Sequence, residues 1–278
     1  MEPSGIVTMT TDFGLADVYV GVMKGVMLGI APNLRLVDIT HQVQPQAILQ
    51  GAFLLADACG YFPPGTVHLA VVDPGVGTAR AAIAVETPTA FFVVPDNGLL
   101  SGVWEGLDES ARAAARIVEL TEPRYWRTGL RAGEAGPAPT FHGRDIFAPV
   151  AAHLAAGVPL AHLGRPRREI VLLEGIHAVA LADGTLRGRI VHVDRFGNCI
   201  SNITAAQVAA LAGRGPVRVT IAGHSVREWV RTYAEGRAGQ PVALIGSNGR
   251  LEIAVREGSA SGRLSVGIGE PLVVASGP

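Results

Sequence analysis

Short β-prone runs alternate with stretches of helical apolar spacing along the first half of the chain. Runs 6–10, 34–39 and 67–72 are β-prone, and the last is almost continuously apolar, as in strands buried on both faces. Stretches 18–28 and 46–59 repeat apolar residues at three- and four-residue spacing, which predicts amphipathic helices. This alternation predicts a mostly parallel sheet with helices on its faces.

The pattern changes beyond about residue 105. We expect two more short strands before that point, at 83–85 and 91–94, and an amphipathic helix over 145–163. From residue 188 onward, short strands separated by glycine-rich turns favour a small antiparallel sheet or barrel. These runs are 189–193, 217–221, 241–245, 251–255 and 272–274.

An arginine-rich segment, 165–168, indicates a domain boundary. We therefore predict an α/β protein with two domains. Residues 1–166 form an N-terminal, mostly parallel α/β sandwich domain, and residues 167–278 form a smaller C-terminal antiparallel β-barrel-like domain.

Composition narrows the function classes. The net charge of −1, from 23 basic and 24 acidic residues, argues against a nucleic-acid partner, because affinity for a phosphate backbone requires a clear basic excess. Cys59 and Cys199 form no CxxC pair, so we expect neither a disulfide framework nor a cysteine metal site. With no bilayer-spanning run and no signal-peptide core, we expect a cytoplasmic protein without membrane contact.

Two carboxylates follow predicted strands of the parallel sheet. Asp12 comes after the first strand and Asp73 after the most apolar one, where open α/β sheets bind ligands. The alternative is that each caps the turn that follows. Gly75 and Gly77 suit a close backbone approach, although the loop lacks a phosphate-binding pattern. Arg80 lies within reach of the same loop mouth, or is an ordinary surface arginine.

A histidine and one polar-aromatic cluster complete the candidate chemistry. His142 lies between an aromatic residue and a glycine at a predicted helix start, and its ordinary pKa near neutrality suits a base or an orienting group. In the second domain, Asn198 offers a donor and an acceptor suited to an adenine edge, and Phe196 an aromatic stacking face. A simple hairpin turn is the alternative there.

Several motifs in one order resemble the S-adenosyl-L-methionine (SAM) hydroxide adenosyltransferases, or SAM hydrolases, over nearly the whole chain. The motifs are Thr10-Thr11-Asp12-Phe13-Gly14 with Asp17 and Tyr19, Val72-Asp73-Pro74-Gly75-Val76-Gly77 with Arg80, Pro95-Asp96-Asn97-Gly98-Leu99, Phe141-His142-Gly143-Arg144-Asp145, Asp194 to Asn202, and Ser247 to Val255. The resemblance implies that water or hydroxide attacks C5′ of SAM and gives adenosine and L-methionine. It implies no cofactor and no metal.

The resemblance also implies residue roles. Asp73, Arg80 and His142 match the family residues that hold the attacking water. Arg80 stabilises the developing hydroxide, and the proton acceptor among the three stays open. The substrate-binding matches are Asp12 for the ribose hydroxyls, Asn198 for adenine, Phe196 and Tyr233 as aromatic walls, Asp194 and Ser247 for the methionine end, and Glu252 and Val255 near the ligand. A homotrimer, with the ligand between neighbouring subunits, is implied as well.

The related fluorinases and chlorinases are the nearest competitors. Fluorinase has a serine in its halide pocket where this chain has Gly143, and a tyrosine where it has Asp73. It also carries an insertion between the strands that correspond to 83–85 and 91–94. An anionic Asp73 would repel a halide, so these departures favour hydroxide.

Two other classes remain open. Asp12, Asp17, Asp73 and His142 suit a hard-cation site in a metal-dependent nucleoside or phosphate-ester hydrolase, although Arg80 would place a positive charge beside the metal. A non-catalytic adenosine- or SAM-binding protein would bind the ligand tightly without turnover.

Overall fold

The computed structural model describes residues 1–127 and 136–277. It divides into two compact units, Met1–Glu174 and Gly175–Pro278. The first is an α/β unit and the second a nearly closed antiparallel β unit, so the predicted fold class is confirmed.

A mixed sheet forms the centre of the first unit. Within its described residues, seven strands lie in the order β2-β1-β3-β5-β4-β6-β7. They are β1 (Ile6–Thr11), β2 (Arg35–Thr40), β3 (Thr66–Val71), β4 (Ala82–Glu86), β5 (Ala90–Pro95), β6 (Arg116–Leu120) and β7 (Gly164–Arg167). The helices are α1 (Tyr19–Ile30), α2 (Ile48–Cys59), α3 (Ser101–Gly106), α4 (Glu109–Ala114) and α5 (Ala148–Ala155). Short 3-10 turns occupy Pro123–Tyr125 and Leu160–His162.

Strand β3 shows why the sheet is covered on both faces. All six of its residues are buried. Val67 and Leu69 pack into one core with α1 and α5, whereas Ala70 packs into a second core with α2 and α3. Successive strand side chains point to opposite faces, so a continuously apolar strand requires a helical layer on each side.

Two details of the first unit differ from the sequence expectation. Parallel pairing is confined to β2, β1, β3 and β5, because β4 and β5 form an antiparallel hairpin. The helix expected over 145–163 is divided: a π-helical turn, Gly143–Phe147, leads into α5, which ends before Gly157. Gly157 has φ +100°, a left-handed conformation that stops a helix.

The segment after β7 is tied to the first unit by two side chains. Asp96 accepts a hydrogen bond from the Val171 amide at 2.7 Å and contacts Arg167 Nη2 at 3.0 Å. Ser101 Oγ accepts from the Leu173 amide at 2.8 Å. These contacts hold the segment after β7 within the first compact unit, Met1–Glu174.

The second unit is an antiparallel sheet that almost closes on itself. Its described strands are β8 (Val179–Ala180), β9 (Leu186–Val193), β10 (Cys199–Thr204), β11 (Val217–Ile221), β12 (His224–Val226), β13 (Pro241–Ile245), β14 (Arg250–Val255) and β15 (Pro271–Ser276). A bridge between Trp229 and Ala243 brings the chain after β12 to β13, at the other end of the strand order.

Two helices of this unit have no counterpart in the sequence expectation. Helix α6 (Ala205–Ala212) begins with a capping box between Thr204 and Gln207, and α7 (Ala260–Leu264) is a single short helix. Among all the described helices of the chain, none is long and apolar enough to cross a membrane.

Candidate active site

The two strand-end carboxylates leave the sheet at the same edge. Thr11 of β1 pairs in parallel with Val71 of β3, so Asp12 and Asp73 follow neighbouring strand ends. Burial, with a smaller contribution from the charge of Asp73, raises the pKa of Asp12, while a hydrogen bond from the Gln46 amide opposes the rise. Both acids thus follow strands at the edge of the sheet where the sequence analysis expects a ligand to bind.

The loop after β3 folds back tightly because of one glycine. Gly77 has φ +77°, and a Cβ there would lie 2.4 Å from the Pro139 carbonyl oxygen. Only glycine permits both the backbone angle and this approach. Thr78 Oγ1 closes the turn by donating to the Gly75 carbonyl at 2.7 Å. The close contact brings loop 73–80 against the segment that carries His142.

Asp73, Arg80 and His142 form one hydrogen-bonded cluster. Arg80 Nε donates to the two Asp73 oxygens at 2.9 and 3.0 Å, and Nη2 donates to Oδ2 at 2.5 Å. Arg80 Nη2 also lies 2.8 Å from His142 Nδ1. The guanidinium packs over the Phe147 ring, 5.1 Å from its centroid. Arg80 therefore contacts both Asp73 and His142, although His142 is 62 residues away in the sequence.

The Arg80 contact fixes the protonation of His142. A guanidinium has donors and no acceptor, so Nδ1 of His142 must accept the hydrogen bond. The proton of the neutral ring then lies on Nε2. Burial first, and the charge of Arg80 second, lower the pKa of His142, which favours this neutral form. The histidine therefore presents an N–H donor at its far edge.

Asp145 holds the π-helical turn that directly follows His142, a role that the sequence did not reveal. Asp145 accepts from Arg144 Nε at 2.6 Å, the Ala138 amide at 2.9 Å and Arg127 Nη1 at 3.2 Å. Burial opposes ionisation, but these hydrogen bonds hold the pKa of Asp145 below its usual value. The carboxylate thus joins the turn to the Ala138 amide and to Arg127.

An aromatic wall borders the cluster. Rings of Phe13, Tyr19 and Phe141 pack edge-on or tilted, with centroids 5.2–6.0 Å apart. A cavity of about 140 Å³ opens between these rings, Asp73 and His142. The first unit thus offers a small, mostly apolar niche with Asp73 and His142 on its wall.

In the second unit, Asp194 organises a tight turn. Its Oδ1 accepts from the amides of Phe196 at 2.9 Å and Asn198 at 2.8 Å, and its Oδ2 accepts from Asn198 Nδ2 at 2.9 Å. Asn198 is 7% exposed, whereas the Phe196 side chain is 77% exposed. This geometry agrees with the hairpin-turn alternative and also with the binding hypothesis. Asp194 binds the N–H donors of Asn198, and the side-chain carbonyl oxygen of Asn198 is left as an acceptor for a ligand.

Glu252 and Tyr233 lie together in the same unit. Tyr233 donates to Glu252 Oε1 at 2.7 Å. Burial and the charge of Asp194 raise the pKa of Glu252, and the Tyr233 hydroxyl opposes the rise. Ser247 is exposed, and Val255 is buried in the core of this unit. Asp194 and Glu252 are thus electrostatic neighbours, while Val255 packs inward.

The metal hypothesis finds no assembled ligand set in the part of the chain that the structure describes. No group of three or more His, Cys, Asp or Glu side chains in residues 1–127 and 136–277 is arranged to hold a metal ion. Asp73 is engaged by Arg80 instead, and Asp17 is exposed.

Comparison with known proteins defines the family. Residues 7–164 match the SAM hydroxide adenosyltransferase N-terminal domain, and residues 188–273 match the C-terminal domain of the same family. The chain therefore belongs to the SAM hydroxide adenosyltransferase family.

Individual relatives agree with this assignment. The chain is 42% identical over 262 residues to an (R)-S-adenosyl-L-methionine hydrolase of Thermus thermophilus, covering 94% of this chain and 96% of the relative. It is 30% identical over 280 residues to a fluorinase of an Actinoplanes species, covering 90% of each. A crystal structure of an uncharacterized conserved protein from Thermotoga maritima superposes with a TM-score of 0.85 at 36% identity, covering 97% of this chain and 99% of that one.

Proposed function

We propose that this protein hydrolyses SAM at C5′ of the ribose and releases adenosine and L-methionine. The single observation that carries the proposal is the Asp73–Arg80–His142 cluster at the wall of the aromatic niche. A sulfonium leaves as a neutral thioether and needs no general acid. The reaction instead requires a water molecule that is oriented and made more nucleophilic.

Each member of the cluster has a distinct task in this reaction. The fixed positive charge of Arg80 stabilises hydroxide character as it develops on the water. His142 donates its Nε2–H to the water oxygen and leaves a lone pair for attack. Asp73 is the remaining acceptor of the cluster and takes the water proton, because Nδ1 of His142 is already engaged by Arg80.

The bond changes balance in one displacement. A bond forms between the water oxygen and C5′, while the C5′–sulfur bond breaks. Its electron pair passes to sulfur, which becomes the uncharged thioether of methionine. The water proton passes to Asp73 and then to solvent, so one cation and one water give two products and one proton.

The remaining matched residues hold the substrate. Asp12 accepts the ribose hydroxyls, Asn198 contacts adenine, and Phe196 and Tyr233 flank the base. Asp194 and Ser247 bind the methionine end, with Glu252 and Val255 nearby. Support comes from the proximity of the Asp194 and Glu252 carboxylates, which suits the ammonium group of methionine.

The substrate epimer and the reaction are tested together. Because the Thermus thermophilus relative is named for the (R) sulfonium epimer, we propose that epimer as the substrate. Each separated epimer is incubated in ¹⁸O-water, and adenosine is analysed by chromatography and mass spectrometry. The proposal expects 5′-¹⁸O adenosine and methionine, faster from the (R) epimer. If SAM binds without turnover, the result would support a non-catalytic SAM-binding protein. If EDTA abolishes turnover, the result would support a metal-dependent hydrolase.

The active assembly is proposed to be a homotrimer in which neighbouring subunits complete each site. An exposed apolar surface near the niche supports self-association: Leu15 is 65% exposed and Val18 72%. Monomeric proteins rarely expose contiguous apolar patches larger than a few hundred Å². Analytical ultracentrifugation of the wild type and of Val18→Glu tests this. We expect the wild type to be a trimer and Val18→Glu to dissociate it with loss of turnover. An active monomer would contradict the proposal.

We also propose a cytoplasmic location, which suits the free cysteines Cys59 and Cys199.

A further inference from the structure

A chain of polar side chains runs behind Asp12, and the proposed reaction does not yet use it. His41 follows β2 and is only 3% exposed. Its Nδ1 lies 2.8 Å from Thr11 Oγ1. Its Nε2 lies 3.0 Å from Asp38 Oδ1, an electrostatic contact rather than a well-aligned hydrogen bond. Asp38 in turn accepts from Lys24 Nζ at 2.6 Å, and Lys24 is the only lysine in the sequence.

The chain of contacts surrounds the turn that carries Asp12. Thr11 Oγ1 accepts from the Phe13 amide at 3.2 Å, so its own hydroxyl proton is free to be donated to His41 Nδ1. The His41 carbonyl accepts from the Gly14 amide at 2.7 Å. Residues on both sides of Asp12 are thus fixed through His41.

Pairing with β3 holds Thr11 of β1 in the sheet, but the pairing of β1 with β2 does not by itself fix the ends of these two strands. The parallel register of β1 and β2 shifts between Met9 and Thr10, so the regular ladder is interrupted just before Thr11. Beyond that point, the Thr11–His41 side-chain contact joins the two strand ends, beside a backbone hydrogen bond from the Val43 amide to the Thr11 carbonyl at 3.3 Å. A buried polar contact of this kind fixes one arrangement, because leaving its members unpaired is costly.

One oxygen of Asp12 is already committed. The Gln46 amide donates to Oδ2 at 2.9 Å, and Gln46 has φ +67°, a left-handed conformation that is uncommon for a residue other than glycine. This hydrogen bond fixes the plane of the carboxylate only if the turn at Asp12 is itself held in place. An ionised carboxylate has about four lone-pair sites, so Asp12 keeps acceptor capacity for a ligand.

We propose that His41, together with Thr11 and Asp38, is a positioning network that holds the Asp12 carboxylate in the orientation that accepts two vicinal ribose hydroxyls. The inference rests on the proposed function, in which Asp12 binds the ribose. These residues do not touch the substrate. They hold the turn at Asp12 in its binding conformation before the ligand arrives. Ligand binding then does not have to meet the free-energy cost of ordering the turn.

The experiment compares two ligands that differ only in the ribose hydroxyls. Affinities for adenosine and 2′,3′-dideoxyadenosine are measured by calorimetry, and their ratio is the diol preference. Asp12→Asn defines the preference that remains without the carboxylate. Thr11→Val and His41→Leu are expected to lower the diol preference about tenfold, while affinity for dideoxyadenosine stays within about twofold of wild type. Thr11→Ser keeps the hydroxyl and is expected to retain the preference.

Strand β1 supplies a matched control. Thr8 Oγ1 contacts His68 Nδ1 at 2.7 Å, another buried threonine–histidine pair on the same strand. Thr8→Val should lower the melting temperature much as Thr11→Val does, yet leave the diol preference unchanged. A general loss of stability would affect both variants alike. If Thr11→Val fails to fold, Asp38→Asn at the more exposed end of the network gives the same comparison.

The outcomes separate the two proposals. If Asp12→Asn loses the diol preference and the network variants keep it, the positioning role is overturned and the ribose role of Asp12 stands. If Thr8→Val lowers the preference as much as Thr11→Val, the positioning role is overturned as well. If Asp12→Asn itself keeps the wild-type preference, the ribose contact fails, and this inference fails with it.

Discussion

Arg80 Nη2 lies 2.8 Å from Nδ1 of His142 and serves as the donor of that hydrogen bond. The imidazole is therefore held as the neutral tautomer with its proton on Nε2. This relationship makes His142 a donor toward the niche, so it is unsuited to accept the water proton while the contact persists.

Two amide substitutions of His142 test that assignment. Asparagine places its side-chain oxygen near Nδ1, so His142→Asn keeps the acceptor for Arg80 and loses the far-edge donor. His142→Gln places an amide N–H near Nε2 and keeps that donor. We expect His142→Asn to lower kcat by about 10²-fold or more, as removal of one transition-state hydrogen bond does, and His142→Gln to lower it less.

Single-turnover kinetics with SAM measure this difference, and affinity for adenosine serves as the control for an intact site. Equal kcat values in the two variants, or a faster His142→Asn, would contradict the donor role. The comparison does not depend on the oligomeric state, provided that both variants sediment like wild type.

Titration of His142 provides a second prediction. Burial and the charge of Arg80 lower its pKa, so NMR of the ring nitrogens should show a midpoint below the ordinary value of about 6.5. Between the folded and unfolded pKa values the unfolded chain binds more protons. The contribution to stability is therefore present above about pH 6.5 and is lost as the pH falls toward the folded pKa.

The pH dependence of kcat should follow the protonation of His142. Protonation of Nδ1 replaces the acceptor with a donor and breaks the contact with Arg80, so kcat should fall on acidification below the ordinary histidine pKa. A midpoint at or above 6.5 for His142, measured in the folded protein, would show that the neutral form is not favoured.

Much of the loop geometry around Asp73 can be predicted from the sequence, because it depends on local residue patterns. The apolar run before Asp73 and the turn residues at Gly75 and Gly77 predicted a strand followed by a tight loop at the binding edge. The register that places Asp12 beside Asp73 follows from parallel strand pairing. Arg80 was also expected near the loop mouth, where it contacts Asp73.

Other features depend on long-range contacts that no local pattern encodes. The helix expected over 145–163 begins as a π-helical turn, in which Asp145 binds Arg127 and the Ala138 amide, and α5 ends before Gly157. His41 resembles any other polar residue after a strand, and only the folded chain brings it to Thr11 and Asp38. Sequence spacing also gave no sign that Asp96 ties down the segment after β7.

The absence of a side chain at residue 143 leads to a third prediction. A Cβ on Gly143 would lie 3.2 Å from Phe141 and 3.3 Å from Met23, both closer than ordinary van der Waals contact, and 3.4 Å from Phe13. Gly143→Ala should displace the Phe141 ring beside His142 and lower kcat about tenfold. Gly25→Ala in α1 is the matched control: it meets open space and should stabilise the helix by about 0.5–1 kcal/mol.

Gly143→Ser tests the contrast with fluorinase at the same position. Although the family resemblance implies a serine at this position in fluorinase, we expect no 5′-fluoro-5′-deoxyadenosine from SAM and fluoride by ¹⁹F NMR. The Asp73 carboxylate remains in the niche, and its charge disfavours a halide anion. Appearance of the fluorinated product in this single variant would show that Asp73 does not determine the choice of nucleophile.

The turn of the second unit gives the last prediction. Asp194 accepts hydrogen bonds from the Phe196 and Asn198 amides and from Asn198 Nδ2. Asp194→Ala leaves the buried Asn198 donors unpaired, which should lower the free energy of unfolding by about 1–3 kcal/mol. It should also weaken adenosine binding, because the carbonyl oxygen of Asn198 is no longer held in place.

Asp183 offers a matched comparison in the same unit. It accepts from the Thr185 amide at 2.9 Å and the Thr185 hydroxyl at 2.7 Å in an exposed turn, and no buried amide depends on it. Urea unfolding should therefore show a clearly smaller loss for Asp183→Ala, with adenosine affinity unchanged. If the two alanine variants lose stability and affinity equally, Asp194 acts only as a local turn former, and the orientation of Asn198 must have another cause.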